Sequence, residues 1–180
     1  MARYRRISGI VPLCFFLAHW HHHASLGQAE YILWLCNLNN LLLGAGLLLD
    51  QPVLFQAGIL WLIPTLPLWF IESWEYRDFP VTSVLSHAGS VAFGLLFLKR
   101  IGMNRNAWIA AVIWGFGVQL LCRLFTDPAL NINVSHDMYP GWKNTFSHYW
   151  QFWIFVAAEA VAGLALLSHL LNRRFPPPGP

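Results

Sequence analysis

The sequence has little charge. Eleven Lys and Arg with eight Asp and Glu make up 11% of its 180 residues, under half the globular share of about 25%. So few charges do not cover the surface of a soluble domain of this length. The composition argues against a soluble enzyme, a nucleic-acid binder and a disordered linker. The net charge of +3 does not point to nucleic acid, because the basic residues are scattered at segment ends. Cysteine is scarce as well. Cys14, Cys36 and Cys122 have no CxxC spacing and lie in apolar stretches, so they read as buried free thiols and not as a disulfide framework. There is no internal repeat and no sign of a second domain.

What is present is apolar. Hydrophobic residues make up 57% of the chain, and the mean hydropathy is +0.48. Charge-free runs cover residues 31–49, 51–71, 79–98 and 106–122, and 144–172 is broken only by Glu159. Each approaches the ~20 residues that cross a bilayer core. Residues 7–29 are uncharged but carry four histidines, so only about 7–20 reads as a span. Arg3, Arg5 and Arg6 before that core also suit a signal peptide, and 24–27 would allow cleavage. The core instead runs into His19, Trp20 and His21 to His23, which favours an uncleaved helix.

The expected fold is all-α: one polytopic transmembrane bundle of about six spans (7–20, 31–49, 52–72, 80–98, 106–126 and 149–171). Its long loop is 127–148, and a Pro-rich, solvated tail covers 173–180. With both termini inside, the inner side holds Arg3, Arg5, Arg6, Lys99, Arg100, Arg105, Arg173 and Arg174, which is eight of the eleven basic residues, as the positive-inside rule asks. A multi-pass protein of a bacterial inner membrane, with a cytoplasmic N-terminus, is the expected setting. Tryptophans near span ends, among them Trp34, Trp69, Trp74, Trp142 and Trp150, fit the aromatic belt.

Ionisable groups inside a bilayer are costly and mark function. At a helical rise of 1.5 Å per residue, Cys36 lies about 9 Å, His87 about 10 Å, Arg123 about 6 Å and Glu159 about 16 Å from the outer side. The inner halves, such as 41–49 and 92–98, are almost purely apolar. Ser83, His87, Ser90 and Gly94 share one helix face, Cys36 and Asn40 a second, and Gln119 and Arg123 a third. Facing one another, these stripes would line a polar cavity open to the outer leaflet. Helix packing through small and polar residues is the competing explanation.

A thiol becomes a nucleophile when an imidazole takes its proton. Cys36 and His87 at matched depth suit such a pair. Asn37, Asn40, Ser83 or Gln119 would hold the oxyanion, and Arg123, which needs a carboxylate such as Glu72, Asp127 or Glu159 nearby, would steer a phosphate head group. The substrate class is a phospholipid or lipid ester. No metal and no cofactor are assigned.

Three stretches also carry a likeness: Leu33-Trp34-Leu35-Cys36-Asn37, Leu85-Ser86-His87-Ala88-Gly89, and the closing aromatic span with Glu159. Through them the chain from about residue 30 to 172 resembles the YwaF-like integral membrane proteins. That family includes the mammalian acyltransferase that moves fatty acyl chains onto ether phospholipids. It is distantly similar to the androgen-induced membrane hydrolases, which cleave fatty-acid esters with a Thr and a His. The resemblance implies Cys36 as nucleophile and His87 as its partner. Trp34 stands where the family often has His, and Ala88 where it has Gly.

Other readings stay open. A non-enzymatic subunit of a larger membrane complex would suit the small size and many aromatics. Such a subunit would hold a haem or another redox cofactor between His19 or His23 and His87, or between His148 and His87. His19 and His21 to His23 also suit an interfacial polar cap. Asp127, His136, Asp137 and His148 are a candidate mixed-ligand metal set. Asn133-Val134-Ser135 matches a glycosylation acceptor. Pro64 and Pro67 are expected to kink the third span. A small transporter is disfavoured by the missing inverted repeat and the apolar inner half.

Overall fold

The computed structural model describes residues 6–178. Arg3, Arg5, Gly179 and Pro180, used above for topology and tail, lie outside the described residues. The chain is all-helical, about 80% helix, with no strand among the described residues. The main helices are α1 (Ile10–Ser25), α2 (Leu35–Leu48), α3 (Pro52–Tyr76), α4 (Val81–Ile101), α5 (Ala107–Phe125) and α6 (Tyr149–Arg174). The last four are long and apolar enough to cross a membrane.

Local chemistry sets the ends. Pro52 opens α3 at its first turn, where a missing N–H costs nothing. Arg77 closes α3 in the left-handed region, at φ 51. At α6 the side chain of His148 and that of Gln151 cap each other's backbone, as in a capping box. The second span differs from expectation. Residues 29–33 form a 3-10 turn, and the α-helix begins only at Leu35. The cause lies far away in sequence: Leu35 N donates to Asn133 Oδ1 at 2.7 Å, fixing the chain at the helix entrance. The first helix runs on to Ser25 rather than stopping near residue 20. The third runs through Pro64 and Pro67.

The core lies where α2, α3, α4 and α5 meet. Leu43, Leu47, Phe55, Ile59, Leu60 and Leu98 are buried there. The α2–α3 hairpin is the tightest contact: a Cβ on Gly46 would stand 2.4 Å from Phe55 N. Such close approach is how membrane helices gain packing without a hydrophobic drive between them. α1 lies on α2 through Gly9, Gly44 and Leu13. α6 is peripheral, with only 11% of its apolar window buried.

One end of the bundle is stitched by polar side chains to the α4–α5 turn. Gln56 Nε2 donates to Gly102 O at 2.9 Å, and Ser168 Oγ to the carbonyls of Asn104 and Arg105 at 3.1 and 3.0 Å. Asn172 reaches Met103 O. Met103 N in turn donates to Phe175 O at 2.7 Å. The tail is therefore tied at Phe175, while Pro176 to Pro178 are exposed. Of the three thiols only Cys122 is buried; Cys36 is half-buried, and Cys14, expected inside, is exposed.

Candidate functional site

The residues singled out by sequence gather at the opposite end of the bundle, beside loop 127–148. They do so in two places, one on α4 and one between α5 and α6.

The first place is a widened turn. α4 starts as an α-helix at Val81–Val84, opens into a π-turn at Leu85–Gly89 and resumes at Ser90. Single π-turns often mark functional sites. Here Asn40 of α2 occupies the widening. Its Nδ2 donates to Ser86 O at 3.1 Å and Ser86 Oγ at 3.0 Å, and Ser90 Oγ donates to its Oδ1. Asn40 thus locks α2 to α4, and both ends of its amide are engaged. The expected face of Ser83, His87 and Ser90 is buried.

His87 sits inside the π-turn and is 4% exposed. Its Nδ1 lies 2.9 Å from Ser83 O and 3.5 Å from Ser83 Oγ. A carbonyl only accepts, so Nδ1 carries the hydrogen and Nε2 keeps a lone pair. The indole of Trp69 stacks on the imidazole at 4.9 Å and 8° and donates Nε1 to Ser83 Oγ at 2.8 Å. Trp69 and Ala88 also line an apolar groove of about 420 Å³ with Leu66, Pro67, Phe70 and Ile71. The groove opens just past the two helix-interior prolines.

His19 of α1 packs edge-on to His87, with ring centroids 6.2 Å apart. Its Nδ1 is 3.2 Å from Thr82 Oγ1, and its Nε2 is 3.2 Å from His23 Nε2. The histidine run is therefore no interfacial cap throughout: His19 is buried and bonded on both nitrogens, because α1 extends far enough to place His19 and His23 on one face. Both nitrogens being engaged, His19 offers none to a haem iron in this arrangement. His148 caps α6 and stacks on Trp150 at 6.4 Å, away from His87.

Cys36 lies in the first turn of α2. No hydrogen bond joins it to His87 among the described residues. The Tyr139 phenol is pushed above its ordinary range by partial burial, then by the charges of Glu72 and Cys36. Asn37 Nδ2 donates to Tyr31 O at 3.1 Å, and its buried Oδ1 has no partner.

The second place is a cleft of about 300 Å³ between α5 and α6, lined by Gln119, Arg123, Ser135, Tyr149 and the indoles of Trp150 and Trp153. Gln119 belongs here and not beside Cys36. Its Nε2 donates to Asn133 O at 3.1 Å, and its Oε1 accepts from Trp153 Nε1 at 2.8 Å. Arg123 has no carboxylate partner among the described residues. Its Nη1 donates to Ser135 O at 2.6 Å, and its guanidinium packs on the Tyr149 ring at 5.4 Å. A backbone carbonyl and a ring replace the expected carboxylate: Asn133 holds the loop against α5, and Asn131 shapes the turn that follows it.

Those asparagines are structural. Asn133 Nδ2 donates to Leu33 O at 2.9 Å and Cys122 Sγ at 3.2 Å, so the glycosylation triplet has its amide committed inside. Asn131 Oδ1 accepts from His136 N and Asp137 N, both at 3.0 Å. The loop's metal-set candidates are dispersed: Asp127 caps Ala129 N, Asp137 pairs with Lys143 at 2.7 Å and His148 caps α6. Among the described residues no three His, Cys, Asp or Glu converge as a metal site.

Trp69, Thr82, Ser86, Ser135 and Tyr149 were not assigned a role at the site by sequence. Trp69 read as one more belt tryptophan, and Ser86 lay off the helical stripe that the π-turn rearranges. Compared with known proteins, the chain matches no family model, no curated protein and no solved structure.

Proposed function

We propose that this is a membrane-embedded enzyme of lipid acyl chemistry, acting by acyl transfer or ester hydrolysis on a phospholipid or lipid ester. One observation carries the reading: an imidazole fixed with a free Nε2 lone pair stands, through its stacked indole, at the wall of an apolar groove of about 420 Å³. Grooves of a few hundred Å³ hold small ligands, with few and placed polar groups. The groove suits an acyl chain, and His87 suits a general base.

In the proposed reaction the Cys36 thiol gives its proton to His87 Nε2, and the sulfur attacks the ester carbonyl. The C–O bond breaks, the departing alcohol takes the proton from His87, and a thioester remains on Cys36. An acceptor alcohol, or water, then releases the acyl group by the reverse relay. Catalytic hydrogen bonds are often long without substrate and tighten in the complex. Asn37 beside Cys36, and Ser83 beside the π-turn, remain the oxyanion candidates.

The membrane topology that goes with this is six crossings with both termini inside. α1 spans about 24 Å at 1.5 Å per residue. The 3-10 turn and α2 together reach about 31 Å, close to a bilayer core of about 30 Å. The test is turnover of phospholipid esters by purified protein, followed by mass spectrometry. His87→Ala and Cys36→Ala should each lower the rate at least about 100-fold with the helical spectrum intact. Unchanged turnover in either variant would refute the assignment of that residue.

A second reading, a subunit packed against a membrane partner, draws on α6. Glu159 is exposed in mid-helix, and a Cβ on Gly163 would meet nothing within 4 Å. It requires a partner that stays bound through purification in mild detergent. Isolation of an active, uncomplexed chain would remove it.

A further inference from the structure

We infer that the cleft between α5 and α6 is a binding site for the phosphate of a membrane phospholipid, separate from the groove at His87. The two share no lining residue: one is built on residues 66–71 and Ala88, the other on α5, α6 and Ser135. The inference therefore stands whether or not acyl chemistry takes place at Cys36.

Two observations point to an anion. Arg123 is a cation without a counter-charge. No carboxylate lies within ion-pair distance of it among the described residues, and the nearby Asp137 is held by Lys143 at 2.7 Å. The bond from Nη1 to Ser135 O and the Tyr149 ring hold the guanidinium plane, and of its five N–H donors one goes to Ser135 O and one to the Tyr149 phenol. A planar guanidinium fork matches two phosphate oxygens. Independently, Ser135 lines the same cleft, and its hydroxyl is buried beside it without a hydrogen-bond partner. A buried hydroxyl without a partner is costly. A phosphate oxygen accepting from both Arg123 and Ser135 satisfies the two groups together.

The walls choose the source of that phosphate. Phe116, Leu120, Trp150 and Trp153 surround the polar pair, and Leu120 and Trp150 are 57% and 59% exposed. Free phosphate has no use for them. A glycerophospholipid does, with its phosphate at the polar pair and its glycerol and upper chains along the indoles. The cleft lies at the end of α5, where amphipathic rings belong at a membrane interface.

The test is native mass spectrometry of the full chain in detergent, titrated with phosphatidylglycerol, with diacylglycerol and with inorganic phosphate. Phosphatidylglycerol should stay bound, and diacylglycerol, which lacks the phosphate, should bind at least about tenfold more weakly. Inorganic phosphate at equal concentration should not displace the lipid. Arg123→Gln should lose about tenfold in lipid affinity, and Ser135→Ala a smaller but measurable factor. Arg123→Lys, which keeps the charge and loses the fork, should fall between wild type and Arg123→Gln and guards against misfolding of the latter. Equal binding of diacylglycerol, or wild-type affinity in both Arg123→Gln and Ser135→Ala, would show a merely greasy surface and overturn the inference. Displacement by inorganic phosphate would overturn the lipid as its source.

Discussion

His87 owes its chemistry to two neighbours. Ser83 O selects its tautomer and Trp69 covers one face of its ring. Trp69→Leu removes the stack and the indole donor to Ser83, and should lower turnover by about tenfold or more while leaving the bundle folded. A rate equal to wild type would separate the indole from the reaction. At the loop, Asp137 is held below the usual carboxylate range by the Lys143 hydrogen bond, then by the Met138 backbone N–H. Because its pKa is depressed on folding, its contribution to loop order is present above the ordinary carboxylate pKa of about 4. It fades as pH falls through the lower folded value. Lys143→Ala should move the Asp137 titration upward, read by carboxyl NMR. Val134 is a more local test. It sits at φ 54, a left-handed geometry that a β-branched residue adopts at a cost. Val134→Gly should stabilise the protein by about 1 kcal/mol, seen as a rise in melting temperature, and a fall would mean that the Val134 side chain contributes more than its strain costs.

Among the elements, the α2–α3 hairpin and the π-turn carry the site. Gly46 against Phe55 sets the helix separation. Gly46→Leu must push the helices apart and should cost about 1–3 kcal/mol by overpacking, measured by chemical denaturation in detergent. The stripe of Ser83, His87, Ser90 and Gly94 was legible from its spacing, and the structure buries its polar members where an open polar cavity was expected. The π-turn within it was not, because it is stabilised by Asn40 from another helix, and no local pattern encodes a partner 46 residues away. Asn40→Ala should therefore unseat the turn: it removes the amide that holds the Ser86 carbonyl and hydroxyl and the stronger of the two acceptors of Ser90 Oγ, which should cost about 1–3 kcal/mol. The late start of α2 has the same origin. Residues 31–34 are as apolar as the helix that follows, and the long-range bonds of Leu33 and Leu35 to Asn133 break the periodicity.

For the whole molecule, the composition was enough to announce an all-helical membrane bundle. Four of its apolar runs, 51–71, 79–98, 106–122 and 144–172, correspond to the helices of spanning length, and a fifth, 31–49, gives the shorter α2. The gathering of polar groups at one end was legible too, since depth follows from residue count. The grouping was not. Depth says how far along a helix a residue lies and nothing about which neighbour it faces. Cys36 and Gln119 both belong to that end, yet Gln119 closes the α5–α6 cleft with Trp153, and Cys36 sits in the first turn of α2. The proposed reaction therefore depends on whether Cys36 and His87 meet over a substrate.

The most direct test is the intact mass of the purified chain after incubation with mixed phospholipids, for wild type, Cys36→Ala and His87→Ala. The expected result is an acyl-sized gain on wild type, located at Cys36, and none on either variant. An acyl gain that persists in Cys36→Ala would contradict the account, as would efficient turnover of lipid esters with no adduct on Cys36 under rapid quench.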